Sequence, residues 1–240
     1  FAVSLIWVSY AYTGWNSVIY IAGEIGKPKI NIPKSMIFAT MFVTALYLML
    51  NYVFLYTTPI ELMKGQVEIG SIAGHQIFGY FGGQIINIAI SIMLLSTVSS
   101  YVYIGPRIVH AMGEDHKVIE KLSTKNINGI PIRAFWVQLV ICILLILTST
   151  FEQVLLYAGI SLIITSCLTI IALFVLRIKN PNLVRNYKVL GFPFTPLLFL
   201  IINSWILYYS FQKAFAESLI GSGIFLLGIL SYLLINKLEK

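Results

Sequence analysis

At 240 residues, with 58% apolar and only 10% charged side chains, the chain has too little polar surface for a water-soluble globule, which carries about 25% charged residues. Its mean hydropathy of +0.88 points to a lipid bilayer as its solvent. The net charge of +7 does not indicate nucleic acid, because that would need the basic residues on one soluble face, and here they sit in short loops between apolar runs.

A helix needs roughly 17–25 mainly apolar residues to cross about 30 Å of hydrocarbon. Seven stretches meet or approach this, at about 1–22, 36–58, 81–104, 132–150, 153–176, 194–212 and 218–236. The fold class is therefore all-α integral membrane, and residues 1–240 read as one transmembrane domain. The connectors carry turn and charge signals: Lys27-Pro28-Lys29 with Pro33, the Gly-rich stretch 65–83, the polar run 112–131, Lys179-Asn180-Pro181, and Ala216-Glu217. Only Thr150 to Glu152 break the fourth span from the fifth. The chain opens on Phe1, already inside an apolar run and without a signal peptide, which suggests a piece of a longer protein.

The first span is interrupted. Residues 1–9 and 18–22 are mostly apolar, but Tyr10, Ala11, Tyr12, Thr13, Gly14, Trp15, Asn16 and Ser17 lie between them. Breaking a helix at that depth exposes backbone N–H and C=O groups that lipid cannot satisfy, so such backbone must pack in protein or line a wet cavity. In transporters the exposed half-helix ends bind ligands: N-terminal dipole ends face anions, and freed carbonyls accept from cations. A zwitterionic amino acid offers both charges at once. Helix packing is the competing reading, since Gly, Ser and Thr are common at tight interfaces.

The third span ends in Ser96, Thr97, Ser99 and Ser100, with Gly105-Pro106-Arg107 closing it. These hydroxyls either bond back to a carbonyl one turn earlier or line an aqueous path or ion site. Ser161, Thr165, Ser166 and Thr169 recur at helical spacing in the fifth span and are compatible with packing. Pro193 and Pro196 lead into the sixth. Glu24 and Glu152 read as interfacial residues, and His75, His110 and His116 as loop residues. No Cys, His or carboxylate cluster has metal-ligand spacing, so no metal and no cofactor is expected. Cys142 and Cys167 lie in apolar runs and read as packing residues.

Orientation follows from the loops. Of the sixteen Lys and Arg residues, all but Lys64 and Lys213 collect on one side, which the positive-inside rule makes cytoplasmic. The C-terminus is then expected inside and the N-terminal end outside, in a multi-pass protein of the cell membrane.

The stretch SYAYTGWNSVIYIAGEIGKPKINIPKSM resembles the sixth segment and following loop of the amino acid–polyamine–organocation permeases, whose pattern is aromatic-Ala-Tyr, Gly-Trp-Asn, Glu and an Asn-Pro-x-x-Asn-x-Pro loop. YVYIGPRIVHAMGED resembles the end of the family's eighth segment, IPIRAFWVQ the start of its ninth, and LRIKNPNLVRNYKVLGFPFTP its tenth-to-eleventh connector. The likeness is to bacterial members similar to the L-type amino acid transporters. Three departures stand out: Gly26-Lys27 where Asn is common before the proline, Thr13 where Gly or Asp is frequent, and Tyr10 where many members have Phe.

The resemblance implies a LeuT-type inverted-repeat fold, with this chain holding the second repeat and two C-terminal helices, and the N-terminal repeat of the same protein as its missing partner. It implies secondary transport of an amino acid by alternating access, and no enzyme activity. Tyr10 would gate the substrate from outside, Ala11 and Thr13 would shape the pocket, and Asn16 would hydrogen-bond to substrate or to the other broken helix. Two alternatives are a seven-helix receptor and a membrane-embedded transferase. The first lacks a Schiff-base lysine in 218–236 and a bridged outer cysteine. The second would rest on Glu114, Asp115 and His116, which read as a solvated loop.

Overall fold

The computed structural model describes every residue except Asn16, Ile21, Asn128, Val184, Asn186, Tyr187 and Lys240, and the side chains of Ser17, Tyr20 and Glu24 are also outside the described set. Among the described residues the secondary structure is helical throughout. The chain order is α1 (Ser4–Ala11), α2 (Ser17–Tyr20), a 3-10 turn (Ala22–Glu24), α3 (Pro28–Thr57), α4 (Ile60–Met63) and α5 (Ile69–Asp115). A second 3-10 turn (Lys117–Ser123) leads to α6 (Ile132–Thr148), α7 (Phe151–Lys179), α8 (Phe194–Lys213) and α9 (Phe215–Leu238).

Among the described residues, five helices are long and apolar enough to cross a membrane: α3, α5, α7, α8 and α9. The expected fourth span, α6, has 17 residues and so reaches only about 25 Å at 1.5 Å per residue. The expected first span is two short helices rather than one. Three boundaries differ from the sequence reading. Helix α3 begins at Pro28 and takes Pro33 inside it; Pro28 at the first position is preorganised for a helix start, so the charged connector becomes its first turns. Residues of the Gly-rich stretch 65–83 are helical from Ile69 onward. The Gly105-Pro106-Arg107 stop is no stop: α5 runs through Pro106 to Asp115. Gly and Pro break helices less readily in a membrane protein, where neighbouring groups re-satisfy the freed backbone. As a result His75 and His110 stand on α5 and not in loops, while His116 follows its last residue.

Two compact units are present, Phe1–Asn16 with Val109–Lys240, and Ser17–Ile108. In the first, α7 is the central helix. Its core is Ile6, Leu155, Ile160, Ile163 and Ile206, with Val3, Trp7, Cys167 and Leu207 packed against it. Thr150 caps α7 reciprocally: Gln153 N donates to Thr150 Oγ1 at 3.4 Å, and Thr150 N donates to Gln153 Oε1 at 3.0 Å. Two orphan donors are thereby satisfied in the very short turn between α6 and α7. Its other end is closed by Arg185, whose guanidinium donates to the carbonyls of Asn180 (2.8 Å), Pro181 (3.2 Å), Leu183 (3.2 Å) and Leu176 (3.4 Å). Arg177 lies 3.8 Å over the Phe192 ring, so the α7–α8 connector is held at both ends.

Helices α7 and α9 cross closely at Gly221. A Cβ there would sit 2.9 Å from the Tyr157 carbonyl oxygen and 3.2 Å from Ile160 Cβ. The Ser161 hydroxyl lies 2.8 Å from the Gly221 carbonyl and 2.9 Å from that of Tyr157, and donates its proton to this pair. Small residues that let backbones approach, plus an interhelical hydrogen bond, are the means by which helices associate without a hydrophobic drive between them.

In the second unit, α5 reverses direction at Gly79, whose φ of 68° and ψ of −168° belong to a region only glycine occupies readily. The arms fold back on each other. A Cβ on Gly74 would lie 2.8 Å from Ile86 Cδ1, and one on Gly70 would lie 3.2 Å from Ile90 Cδ1.

Gly221→Val is expected to lower the stability of the full-length protein in membranes by about 1–3 kcal/mol through overpacking against Tyr157 and Ile160. Gly223→Ala, where a Cβ meets nothing within 4 Å, should leave the thermal midpoint unchanged or slightly raised. Thermal unfolding of both variants beside the parent checks this, and equal midpoints would contradict the close crossing.

Candidate functional site

The interruption expected at Tyr10–Asn16 is present between α1 and α2. Helix α1 tightens before it ends: Tyr12 N donates to Ser9 O at 3.2 Å and Thr13 N to Tyr10 O at 2.9 Å. These are three-residue closures, the usual way a last turn satisfies its carbonyls. Thr13 Oγ1 adds a second donor to the Tyr10 carbonyl at 2.7 Å. Thr13 therefore acts as a hydroxyl plug on the helix end, a role neither Gly nor Asp at that position could fill with a neutral donor. Gly14 follows at φ 100°, a backbone conformation that costs an L-residue about 1–2 kcal/mol, and here the helix cannot continue. Trp15 is exposed at 53% and Tyr10 at 37%. Asn16, which the resemblance makes a hydrogen-bonding residue, lies outside the described residues.

The break is held in place by α1, and α1 is held by α7. Ile6 is fully buried, and a Cβ on Gly159 would come 2.5 Å from Ile6 Cγ2, so the glycine is the socket for that isoleucine. Trp7 adds a tilted ring contact with Phe151 at 6.5 Å, and Phe1 one with Trp205 of α8 at 6.2 Å. Neither Ile6 nor Gly159 stood out in the sequence, because an apolar residue and a glycine within apolar spans carry no chemical mark.

The hydroxyl group of α5 is partly absorbed by its own helix. Thr97 Oγ1 donates to Met93 O and Ser100 Oγ to Ser96 O, each at 3.1 Å. Ser96, Ser99 and Ser100 share one face at helical spacing, and Thr97 points off it. All four are exposed and belong to the unit Ser17–Ile108, whereas Tyr10 to Trp15 belong to the other. On α7, Thr165 and Thr169, both exposed, bond back to Ser161 and Thr165 of their own helix at 2.7 and 2.9 Å.

The chemistry available at the break is that of backbone dipoles, two phenols, a hydroxyl and an indole. No carboxylate, amine or imidazole lies between Tyr10 and Trp15, so its polar groups are backbone, phenol, hydroxyl and indole. Among the described residues no group of three or more His, Cys, Asp or Glu is gathered as a metal site.

Comparison with known proteins decides the family: the family model described as amino acid permease matches residues 1–233. The chain belongs to the amino acid permease family. That places it within the amino acid–polyamine–organocation superfamily that the motifs around Tyr10–Asn16 resemble. It is similar to the serine/threonine exchanger SteT of Bacillus subtilis (strain 168), at 26% identity over 202 residues, covering 82% of this chain and 46% of that protein. It is also similar to the b(0,+)-type amino acid transporter 1 of Rattus norvegicus, 24% identical over 203 residues, covering 82% of this chain and 40% of that one. Large neutral amino acids transporter small subunit 2 of Homo sapiens is 25% identical over 238 residues, covering 97% of this chain and 43% of the relative. The chain spans less than half the length of these relatives. The family is one of transporters and not of enzymes or receptors.

Gly14→Ala is expected to destabilise the permease by about 1–2 kcal/mol from the left-handed backbone alone. Gly26→Ala, with no neighbour within 4 Å of the added carbon and no left-handed φ, serves as the control. Thermal unfolding of the full-length variants in membranes distinguishes them, and an unchanged midpoint for Gly14→Ala would show that the break does not require a glycine.

Proposed function

We propose that the chain is part of a secondary transporter that moves amino acids across the cell membrane by alternating access, with the substrate bound at the break in the first span. The observation that carries this reading is the interruption of a membrane helix at Tyr12–Trp15, with Gly14 at φ 100°, in a chain of the amino acid permease family. An amino acid carries an ammonium and a carboxylate on one carbon. Carbonyls at the C-terminal end of α1 suit the first, and backbone N–H groups of a broken span suit the second.

In this reading Tyr10 closes over the substrate from outside, Ala11 and Thr13 contribute backbone and pocket shape, Tyr12, Gly14 and Trp15 belong to the same binding segment, and Asn16 hydrogen-bonds to substrate or to the other broken helix. Thr13 keeps the Tyr10 carbonyl engaged, so the substrate ammonium would have to compete with that hydroxyl or turn to a neighbouring carbonyl. Ser96, Thr97, Ser99 and Ser100 are proposed to line the pathway or an ion site, with Ser96 and Ser99 offering hydroxyls on one face of α5. The fold is proposed to be the LeuT-type inverted repeat, with the other repeat supplying the opposing wall and lipid surrounding the outward apolar faces. The distribution of Lys and Arg supports a cytoplasmic C-terminus. Relatives named as a serine/threonine exchanger and as transporters of large neutral amino acids support a neutral amino acid as cargo.

Full-length protein reconstituted in liposomes should take up or exchange labelled neutral amino acids. Tyr10→Ala and Gly14→Ala should each reduce flux by about tenfold or more, which corresponds to ~1.4 kcal/mol per decade, while insertion is verified as normal. Absence of flux for every amino acid by correctly inserted wild-type protein would overturn the function. Wild-type flux in both variants would move the site elsewhere.

A further inference from the structure

In the unit Phe1–Asn16 with Val109–Lys240, the connector between α5 and α6 is tied to the end of α9. Glu239, just beyond α9, places both carboxylate oxygens on the connector. Its Oε2 lies 3.1 Å from His116 Nδ1, and its Oε1 accepts from Val118 N at 3.3 Å. The two side chains are only about a fifth exposed, 22% for His116 and 20% for Glu239. Tyr232, two turns back on α9, meets the His116 ring edge-on at 5.9 Å. The hydrogen bond from His116 and that from the Val118 N–H hold the Glu239 carboxyl below the usual carboxylate range, so it is charged at neutral pH.

The segment that Glu239 grips is itself seated on both neighbouring helices. Gly113 on α5 leaves room for it: a Cβ there would sit 2.7 Å from Ser123 N and 3.1 Å from Ile119 O. Arg133, in the first turn of α6, donates to Lys121 O at 3.1 Å. Within the segment, Ser123 and Thr124 hydroxyls donate to Glu120 O at 2.7 Å and Lys121 O at 2.9 Å. The turn Lys117–Ser123 thus touches α5, α6 and α9 together. Such a node restrains the three helix ends relative to one another, and the Glu239 carboxylate, on His116 Nδ1 and Val118 N, is its grip on α9.

We propose that Glu239 closes a C-terminal strap, in which the end of α9 holds the α5–α6 connector through His116 and Val118 and thereby governs how fast the transporter turns over. The claim about turnover rests on the transport reading above; the strap itself does not. Charge-assisted hydrogen bonds are about twice as strong as neutral ones, so removal of the carboxylate releases the connector more than removal of any hydroxyl within it.

The test uses hydrogen exchange on the full-length protein in nanodiscs, with amides of α7 as the internal reference for folding. Glu239→Ala and His116→Ala should each raise the exchange rate of residues 117–123 by about five- to tenfold, with α7 unchanged. The double variant should be no faster than the faster single one, and Glu239→Gln, which keeps an acceptor for Val118 N–H, should fall between. Unchanged exchange in Glu239→Ala, or additive effects in the double variant, would overturn the strap. In sealed liposomes reconstituted with the same full-length variants, the maximal flux of Glu239→Ala should differ at least about twofold from wild type, with half-saturation unaltered. Faster exchange with unaltered maximal flux would overturn its control of turnover. Absence of flux in wild type would refute the transport reading, and with it the claim on turnover, while the exchange result still decides the strap.

Discussion

A backbone polar group in hydrocarbon has no partner except another protein group, and this constraint orders the molecule from end to end. It explains where ten of its hydroxyl side chains point, while the buried hydroxyls of Ser218 and Ser222 find no partner among the described residues. Thr44, Thr57, Ser91, Thr97, Ser100, Thr148, Thr165, Thr169, Ser210 and Ser231 all donate to the carbonyl one turn earlier. In water such back-bonding competes with the helix; in a membrane helix it hides the hydroxyl's proton on a group that has a spare lone pair. The same logic governs the exceptions. Three helix ends are furnished by side chains: Thr150 with Gln153 at the start of α7, Arg185 at its end, and the Thr13 hydroxyl at the end of α1.

A break in a helix is useful only if its position is fixed. In this chain the position comes from below the break, through Ile6 in the hollow left by Gly159, and α7 is fixed in turn by its close crossing with α9 at Gly221 and by the Ser161 hydrogen bond across that crossing. Three glycines therefore do two different things. Gly159 and Gly221 are absences of volume that let helices meet. Gly14 is a backbone conformation that makes a helix end. Only the last is near the proposed chemistry, yet its location depends on the other two.

This division also explains what could be read from residues alone. Membrane class, helical content and the position of the break were legible, because each is written in composition or in a run of polar residues within an apolar span. The bounds of α6 to α9 were close to those read from hydropathy, within a few residues at each end. The continuation of α5 through Pro106, and its reversal at Gly79 rather than over the whole Gly-rich stretch, were not legible. Gly and Pro mark turns reliably in water, where a freed carbonyl is solvated, and lose that meaning where packing replaces solvent. Contacts between distant residues, such as Ile6 with Gly159 or His116 with Glu239, leave no local pattern at all. Thr13 lay between the two cases. Its difference from the family pattern was visible, but its bond to the Tyr10 carbonyl depends on a turn geometry that the residue types do not specify.

The unit containing α1 and α6 to α9 thus has polar interactions of two kinds, separated by their distance from apolar packing. Those among the packed helices, such as Ser161 with the Gly221 carbonyl, are neutral, because an unpaired charge there would be too costly if the contact opened. Those at the helix ends, such as Glu239 with His116, involve groups that can be charged, because water can solvate either partner after separation. A contact that must open and close during a working cycle is therefore better placed at the ends, where breaking it costs little. The neutral crossing of α7 and α9 is suited to stay closed, and the carboxylate of Glu239 is suited to let go.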